Sequence, residues 1–131
     1  MTTDIPLISI VDDDDTVREA TESLVRSLGF KTRTFESAES FLQSSLPQET
    51  QCLILDVQMP NMSGIELQER LSERGFKIPI IFITAYPDED VRQRAMDAGA
   101  VAFLLKPLEV YGQRFSDCIL EALRRGRRSA P

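Results

Sequence analysis

Cys52-Leu-Ile-Leu-Asp56 decides how the rest of the chain is read. Four consecutive apolar residues without a polar break fit a strand covered on both faces, which is the pattern of a central strand in a parallel sheet. Packing does not require the aspartate that ends the run. A carboxylate at the top of such a strand points to whatever lies in the cleft above it.

Outward from this run the chain alternates. Downstream, the loop Val57-Gln-Met-Pro-Asn-Met-Ser-Gly64 leads into a helical pattern with Ile65, Leu67 and Leu71, closed at Gly75. Next come an apolar run from Ile78 to Ile83 that ends at Thr84, and a helix over roughly Glu89 to Ala98 before Gly99. The run Val101 to Leu105 ends at Lys106-Pro107. A last helix carries Phe115, Cys118, Ile119, Ala122 and Leu123 and is expected to stop at Gly126.

Upstream, Leu7 to Val11 runs into four aspartates, Asp12 to Asp15, one of the later two serving as helix N-cap. Val17, Ala20, Leu24, Val25 and Leu28 then recur at helical spacing up to Gly29. Lys31 to Phe35 alternates polar and apolar, as an edge strand does, and Ser37 caps a short helix through Phe41 and Leu42. Apolar runs alternating with helices predict an α/β domain with a parallel sheet.

Composition excludes several chemistries. The 131 residues carry a net charge of -6 with 42% hydrophobic and 27% charged residues, so the body would repel a polyphosphate. The absence of histidine removes triads, His-ligated metals and His acid–base catalysis. Cys52 and Cys118 read as small core hydrophobes, too few for a disulfide framework or zinc site. No apolar stretch reaches the length of a membrane span and the start lacks the basic region of a secretory leader, so the cytoplasm is the expected compartment.

The chemistry-bearing residues share one kind of position. Strand one ends in Asp12 and Asp13, strand three in Asp56, strand four in Thr84 and strand five in Lys106. In an open α/β sheet, ligands bind beyond the carboxyl ends of the strands, where strand order reverses. If strands one and three are neighbours, three carboxylates meet there, and each opposes ionisation of the others unless a cation joins them. Mg²⁺ suits such a set. Asp56 then has the setting of a nucleophile that forms an aspartyl phosphate, with Lys106 and Thr84 placed for the transferred oxygens.

Ile10-Val-Asp-Asp-Asp14, Leu55-Asp-Val-Gln-Met-Pro-Asn-Met-Ser-Gly64, Ile83-Thr-Ala85 and Lys106-Pro107 together resemble the receiver domain of two-component response regulators. The pieces Phe35-Glu-Ser-Ala-Glu-Ser-Phe-Leu42, Gly64-Ile-Glu-Leu-Gln68 and Ala95-Met-Asp-Ala-Gly-Ala-Val-Ala-Phe103 resemble the FixJ-type subgroup.

The resemblance implies a flavodoxin-like fold of five βα units with strand order 2-1-3-4-5. It implies Asp56 as phosphoacceptor, supplied by a sensor histidine kinase. Mg²⁺ would be held by Asp12, Asp13, Asp56 and the backbone carbonyl of Gln58, Asp13 directly and Asp12 through water. Thr84 and Lys106 would bind the phosphoryl group, Phe103 would be the switch aromatic, and the Lys106-Pro107 bond would be cis. The chain would catalyse only its own phosphorylation and dephosphorylation. Its α4-β5-α5 face would then take a partner or a second copy, controlling transcription through an output domain or partner.

Two departures stand out: Tyr86-Pro87 stands where the subgroup more often has His-Gly, and Gln58 borders the path of an attacking water. Residues 1-124 are read as the receiver domain and 125-131 as a basic tail or the start of a linker. No direct nucleic-acid or membrane contact is expected.

Three alternatives belong beside this reading. A stand-alone receiver would act as a phosphate relay or sink, or bind partners without phosphorylation. A haloacid-dehalogenase-type phosphatase would want a second acid at the position of Gln58. A nucleotide or flavin binder would want a phosphate-binding loop where Asp12 to Asp15 stand.

Overall fold

The computed structural model describes residues 5–129, and side chains through residue 126. Five strands, β1 (Leu7–Val11), β2 (Lys31–Phe35), β3 (Cys52–Asp56), β4 (Ile80–Thr84) and β5 (Ala102–Leu105), form one parallel sheet in the order β2-β1-β3-β4-β5. Between and after them run α1 (Asp15–Ser27), α2 (Ala38–Gln43), α3 (Gly64–Glu73), α4 (Glu89–Asp97) and α5 (Gln113–Ser129). Short 3₁₀ turns occupy Leu46–Gln48 and Leu108–Tyr111.

Strand alternation sorts the core into two layers. Ile8, Ile10, Ile54, Ile81 and Ile83 face Val25 of α1 and Phe115, Ile119 and Ala122 of α5. Val11, Leu53, Leu55 and Phe82 face Phe41 of α2, Leu67 and Leu71 of α3 and Ala95 of α4. Every residue of β3 and β4 is buried, the expected state of strands covered on both sides. β2, at the edge, keeps Lys31 and Arg33 exposed, which discourages pairing with another sheet. Both cysteines are free thiols; Cys52 is fully buried, and burial pushes its thiol up, so it behaves as a core residue.

The caps follow the sequence. Asp14 accepts from the Val17 N–H at the start of α1, and Ser37 accepts from the Ser40 N–H at the start of α2. Ser63 and Glu66 form a reciprocal capping box at α3. Two boundaries differ from the sequence reading. β4 begins at Ile80 rather than Ile78, because Pro79 lacks the N–H that a central strand needs. The last helix does not stop at Gly126 but continues to Ser129. A glycine inside a helix costs only about 1 kcal/mol relative to alanine, and Arg124 and Arg125 pair back to Glu121 across the turn before it. Position 124, read as the end of the domain, therefore lies within α5. Of the basic tail, residues 130–131 and the side chains of 127–129 lie outside the described residues.

α3 begins directly against the top of β3. The Gly64 N–H donates to the Val57 carbonyl at 2.9 Å. A Cβ on Gly64 would sit 2.3 Å from the Asp56 carbonyl oxygen and 3.1 Å from Val57 Cα. Both obstacles are backbone, which cannot swing aside. Gly64→Ala is therefore expected to lower unfolding free energy by about 2–3 kcal/mol, the upper range for overpacking. Urea denaturation measures it; a variant within 0.5 kcal/mol of the parent, on the order of an ordinary surface change, would contradict the close approach.

Candidate functional site

The strand order reverses between β1 and β3, and the residues that the sequence placed at strand ends gather above that point. Val11 of β1 is level with Leu55 of β3, so Asp12 and Asp56 stand side by side on the next rung. Asp12 is completely buried, and Asp56 keeps 3% of its surface. Asp13 lies in the exposed loop beyond. One carboxylate oxygen from each of Asp12, Asp13 and Asp56 falls within 4.8 Å of the others.

Lys106, delivered by the end of β5, reaches back across β4 into this cluster. Its Nζ lies 3.0 Å from Asp12 Oδ2 and 3.2 Å from Asp56 Oδ1. The side chain is 13% exposed, so the ion pairs are little screened by water. Burial works to lower the ammonium's pKa, but the hydrogen bond and charge of Asp12, joined by Asp56, outweigh it and hold the lysine charged. The Lys106–Pro107 peptide that follows is cis, as the resemblance implied.

Asp56 is the perturbed group. Its pKa is pushed up to about 7, first by burial and then by the charge of Asp12, against the opposing pull of Lys106, with the neighbouring Asp13 adding to the rise. Three carboxylates face one ammonium, and the surplus negative charge is what a divalent ion neutralises. Asp12 Oδ2 is buried with no hydrogen bond of good geometry, its near neighbour being the Lys106 ammonium. Asp12 Oδ1, by contrast, accepts from the Asp14 N–H at 2.9 Å. Hard oxygen donors, a buried carboxylate oxygen with only an ammonium beside it, and net negative charge fit a metal ion. Among the described residues, nothing donates to the Gln58 carbonyl, and its residue is exposed beside the cluster.

Thr84 occupies the end of β4 and is buried. Its hydroxyl is turned away into the following loop, accepting from the Tyr86 N–H at 3.1 Å and donating to the Tyr86 carbonyl at 3.2 Å. Donation of this hydroxyl's single proton to a group bound to Asp56 requires giving up the bond to the Tyr86 carbonyl and so loosens the Tyr86 loop. Phe103 is half-buried on β5, its ring 6.2 Å from that of Phe82 in a tilted pair. It borders a cleft of about 410 Å³ with Pro87, Asp88, Glu89, Arg92 and Leu105.

One feature of the site escaped the sequence reading: Arg18, on the first turns of α1, holds the Asp12 carbonyl. The pattern Asp-x-x-Arg at a helix start was visible, but it is also what an ordinary surface pair looks like.

Comparison with known proteins agrees with this fold. The family model described as the response regulator receiver domain matches residues 8–111. The transcriptional regulatory protein TdiR of Thauera aromatica is 42% identical over 123 residues, covering 94% of this chain and 53% of the relative. The structure of the response regulator StyR is 46% identical with a TM-score of 0.85, covering 95% of this chain and 62% of that one. The FixJ-N crystal structure is 33% identical with a TM-score of 0.76 over 98% of both chains. The chain spans about half the length of the curated relatives it matches.

Proposed function

The chain belongs to the response regulator receiver domain family, and on that premise we propose that Asp56 takes the phosphoryl group from a phosphohistidine of a sensor histidine kinase. A carboxylate oxygen of Asp56 forms a bond to phosphorus while the P–N bond to imidazole breaks; the imidazole leaves with the electron pair and is protonated. The observation that carries this is the pairing of Asp56 with Lys106 in a three-carboxylate cluster, Asp12 and Asp56 buried and Asp13 exposed, at the strand-order reversal.

Mg²⁺ is the cation that suits the set, and it would be held by Asp13, by Asp12 through water, by Asp56 and by the Gln58 carbonyl. When bound it neutralises charge on the acids and on the transferred oxygens. The chain's own groups do the rest. Lys106 keeps its charge and stands beside the Asp56 oxygen, ready to pair with a phosphoryl oxygen. Thr84, once freed from Tyr86, offers a hydroxyl to another. The vacated space admits the Phe103 ring, and the surface of α4, β5 and α5 changes with it. That surface would pair with a second copy or an output domain, and residues beyond 124 would lead toward such a domain. Self-catalysed gain and loss of phosphate is the only turnover this reading assigns, and the compartment is the cytoplasm, where kinase and phosphodonors meet it. No described helix is long and apolar enough to cross a membrane.

Intact-mass measurement tests the reading. With acetyl phosphate and Mg²⁺ one phosphoryl group is expected, labile to hydroxylamine as an acyl phosphate is; no gain with chelated metal is expected. Modification that survives hydroxylamine would overturn it.

A further inference from the structure

We propose that Arg18 is a positioning residue for the cation site, acting by holding the peptide that joins Asp12 to Asp13. This rests on reading the acid cluster as a cation site. Arg18 Nη1 donates to the Asp12 carbonyl at 2.8 Å, and Nη2 donates to the Asp15 carboxylate. Its side chain is only 16% exposed, although it stands on a solvent-facing helix start. A cation there opposes the helix dipole, which favours anions at this end, so the dipole does not account for it. The carbonyl does. Among the described residues, no backbone N–H reaches the Asp12 carbonyl, and a backbone acceptor beside a fully buried residue calls for a donor.

The consequence falls mainly on Asp13. The Asp12 side chain is already fixed by the Asp14 N–H and by Lys106. Asp13 is exposed, and one of its carboxylate oxygens lies within 4.8 Å of one from each of Asp12 and Asp56, the groups it must join around an ion. With the Asp12 carbonyl gripped, the peptide plane between the two acids cannot rotate, and Asp13 Cα is held where its carboxylate faces Asp56. The bond to Asp15 sets the guanidinium in the orientation that reaches the carbonyl. It also neutralises one of the four successive acids that would otherwise repel one another.

The sign of one measurement separates this role from its rivals. Removing a nearby positive charge should by itself tighten cation binding; loss of fold stability alone should leave affinity unchanged. Loss of positioning should weaken it. Mg²⁺ titration of the unphosphorylated full chain, followed by amide chemical shifts, is the readout. Arg18→Met is expected to raise the Mg²⁺ Kd about tenfold. Arg18→Lys, which keeps the charge but cannot span both oxygens, should raise it about threefold. Val25→Ala, a core change in the same helix, should lower melting temperature and leave Kd as it was. In an Asp13→Asn background, Arg18→Met should add less than about twofold, because contributions through one group do not add. A Kd that is unchanged or lowered in Arg18→Met or Arg18→Lys overturns the assignment, as does full additivity with Asp13→Asn. If the unsubstituted chain shows no saturable Mg²⁺ binding, it is the cation-site reading that fails.

Discussion

Asp56→Asn is expected to remain folded, to gain stability above neutral pH, and to lose phosphorylation by acetyl phosphate at least about a thousandfold, equivalent to about 4 kcal/mol of barrier. The loss follows from chemistry. An amide oxygen is a poor nucleophile, and neither Asp12 nor Asp13 can replace it: Asp12 is clamped by the Asp14 N–H and Lys106, while Asp13 sits on the exposed loop. The gain in stability follows from electrostatics. Asp56 is a buried carboxylate beside a second one, and an amide of nearly the same shape removes the charge but not the packing. Lys106 keeps Asp12 as its partner. Opposite signs for reaction and stability distinguish a functional group held at a cost from a residue present for the fold. Mass spectrometry with acetyl phosphate, paired with urea denaturation at pH 8, reads both. Phosphorylation of the variant at more than about a tenth of the parental rate, a deficit of under roughly 1.4 kcal/mol, would move the acceptor elsewhere.

Much of this site could be read from the sequence because strand tops in an α/β sheet collect chemistry from distant segments. An apolar run that ends abruptly in Asp, Thr or Lys announces a residue with no packing reason to be there. Asp12, Asp56, Thr84 and Lys106 were all found in that way, and the structure brings Asp12, Asp56 and Lys106 into direct contact. The expected phosphate ligand Thr84 is at its strand end, but its hydroxyl engages Tyr86 instead. Strand patterns fix which rung a side chain occupies; they do not fix its rotamer, which depends on the loop that follows. Arg18 was lost for a related reason. Its importance lies in a carbonyl, and backbone acceptors leave no mark in residue types. α5 runs on past Gly126 because glycine is only a weak helix stop.

Divalent ion and pH should act on stability through one group. Asp56 has a folded-state pKa of about 7 against an ordinary value of 3.8, so the folded chain holds a proton there that the unfolded chain has already lost. Between these values the native state binds more protons, and stability must therefore fall as pH rises, levelling once Asp56 is ionised in both states. The expected loss without metal is on the order of 3 kcal/mol between about pH 4.5 and 7.5. The exposed carboxylates Glu66 and Glu89 and the half-buried Glu121 are shifted the other way, by a backbone hydrogen bond from Ser63, by a hydrogen bond from Arg92 and by one from Arg124. Their contributions are lost only as pH falls through the carboxylate range, below this window. Saturating Mg²⁺ should remove the slope, because an ion among Asp12, Asp13 and Asp56 favours the charged form that burial opposes. Its stabilisation should be larger at pH 8 than at pH 5.5, where it must first displace the proton. In Asp56→Asn the slope should vanish with or without the ion. Chemical denaturation at those two pH values, with Mg²⁺ and with a chelator, gives all the comparisons. Stability that rises across the window in chelator, or Mg²⁺ that stabilises equally at both pH values, would show that the buried carboxylate is not the group on which proton and metal compete.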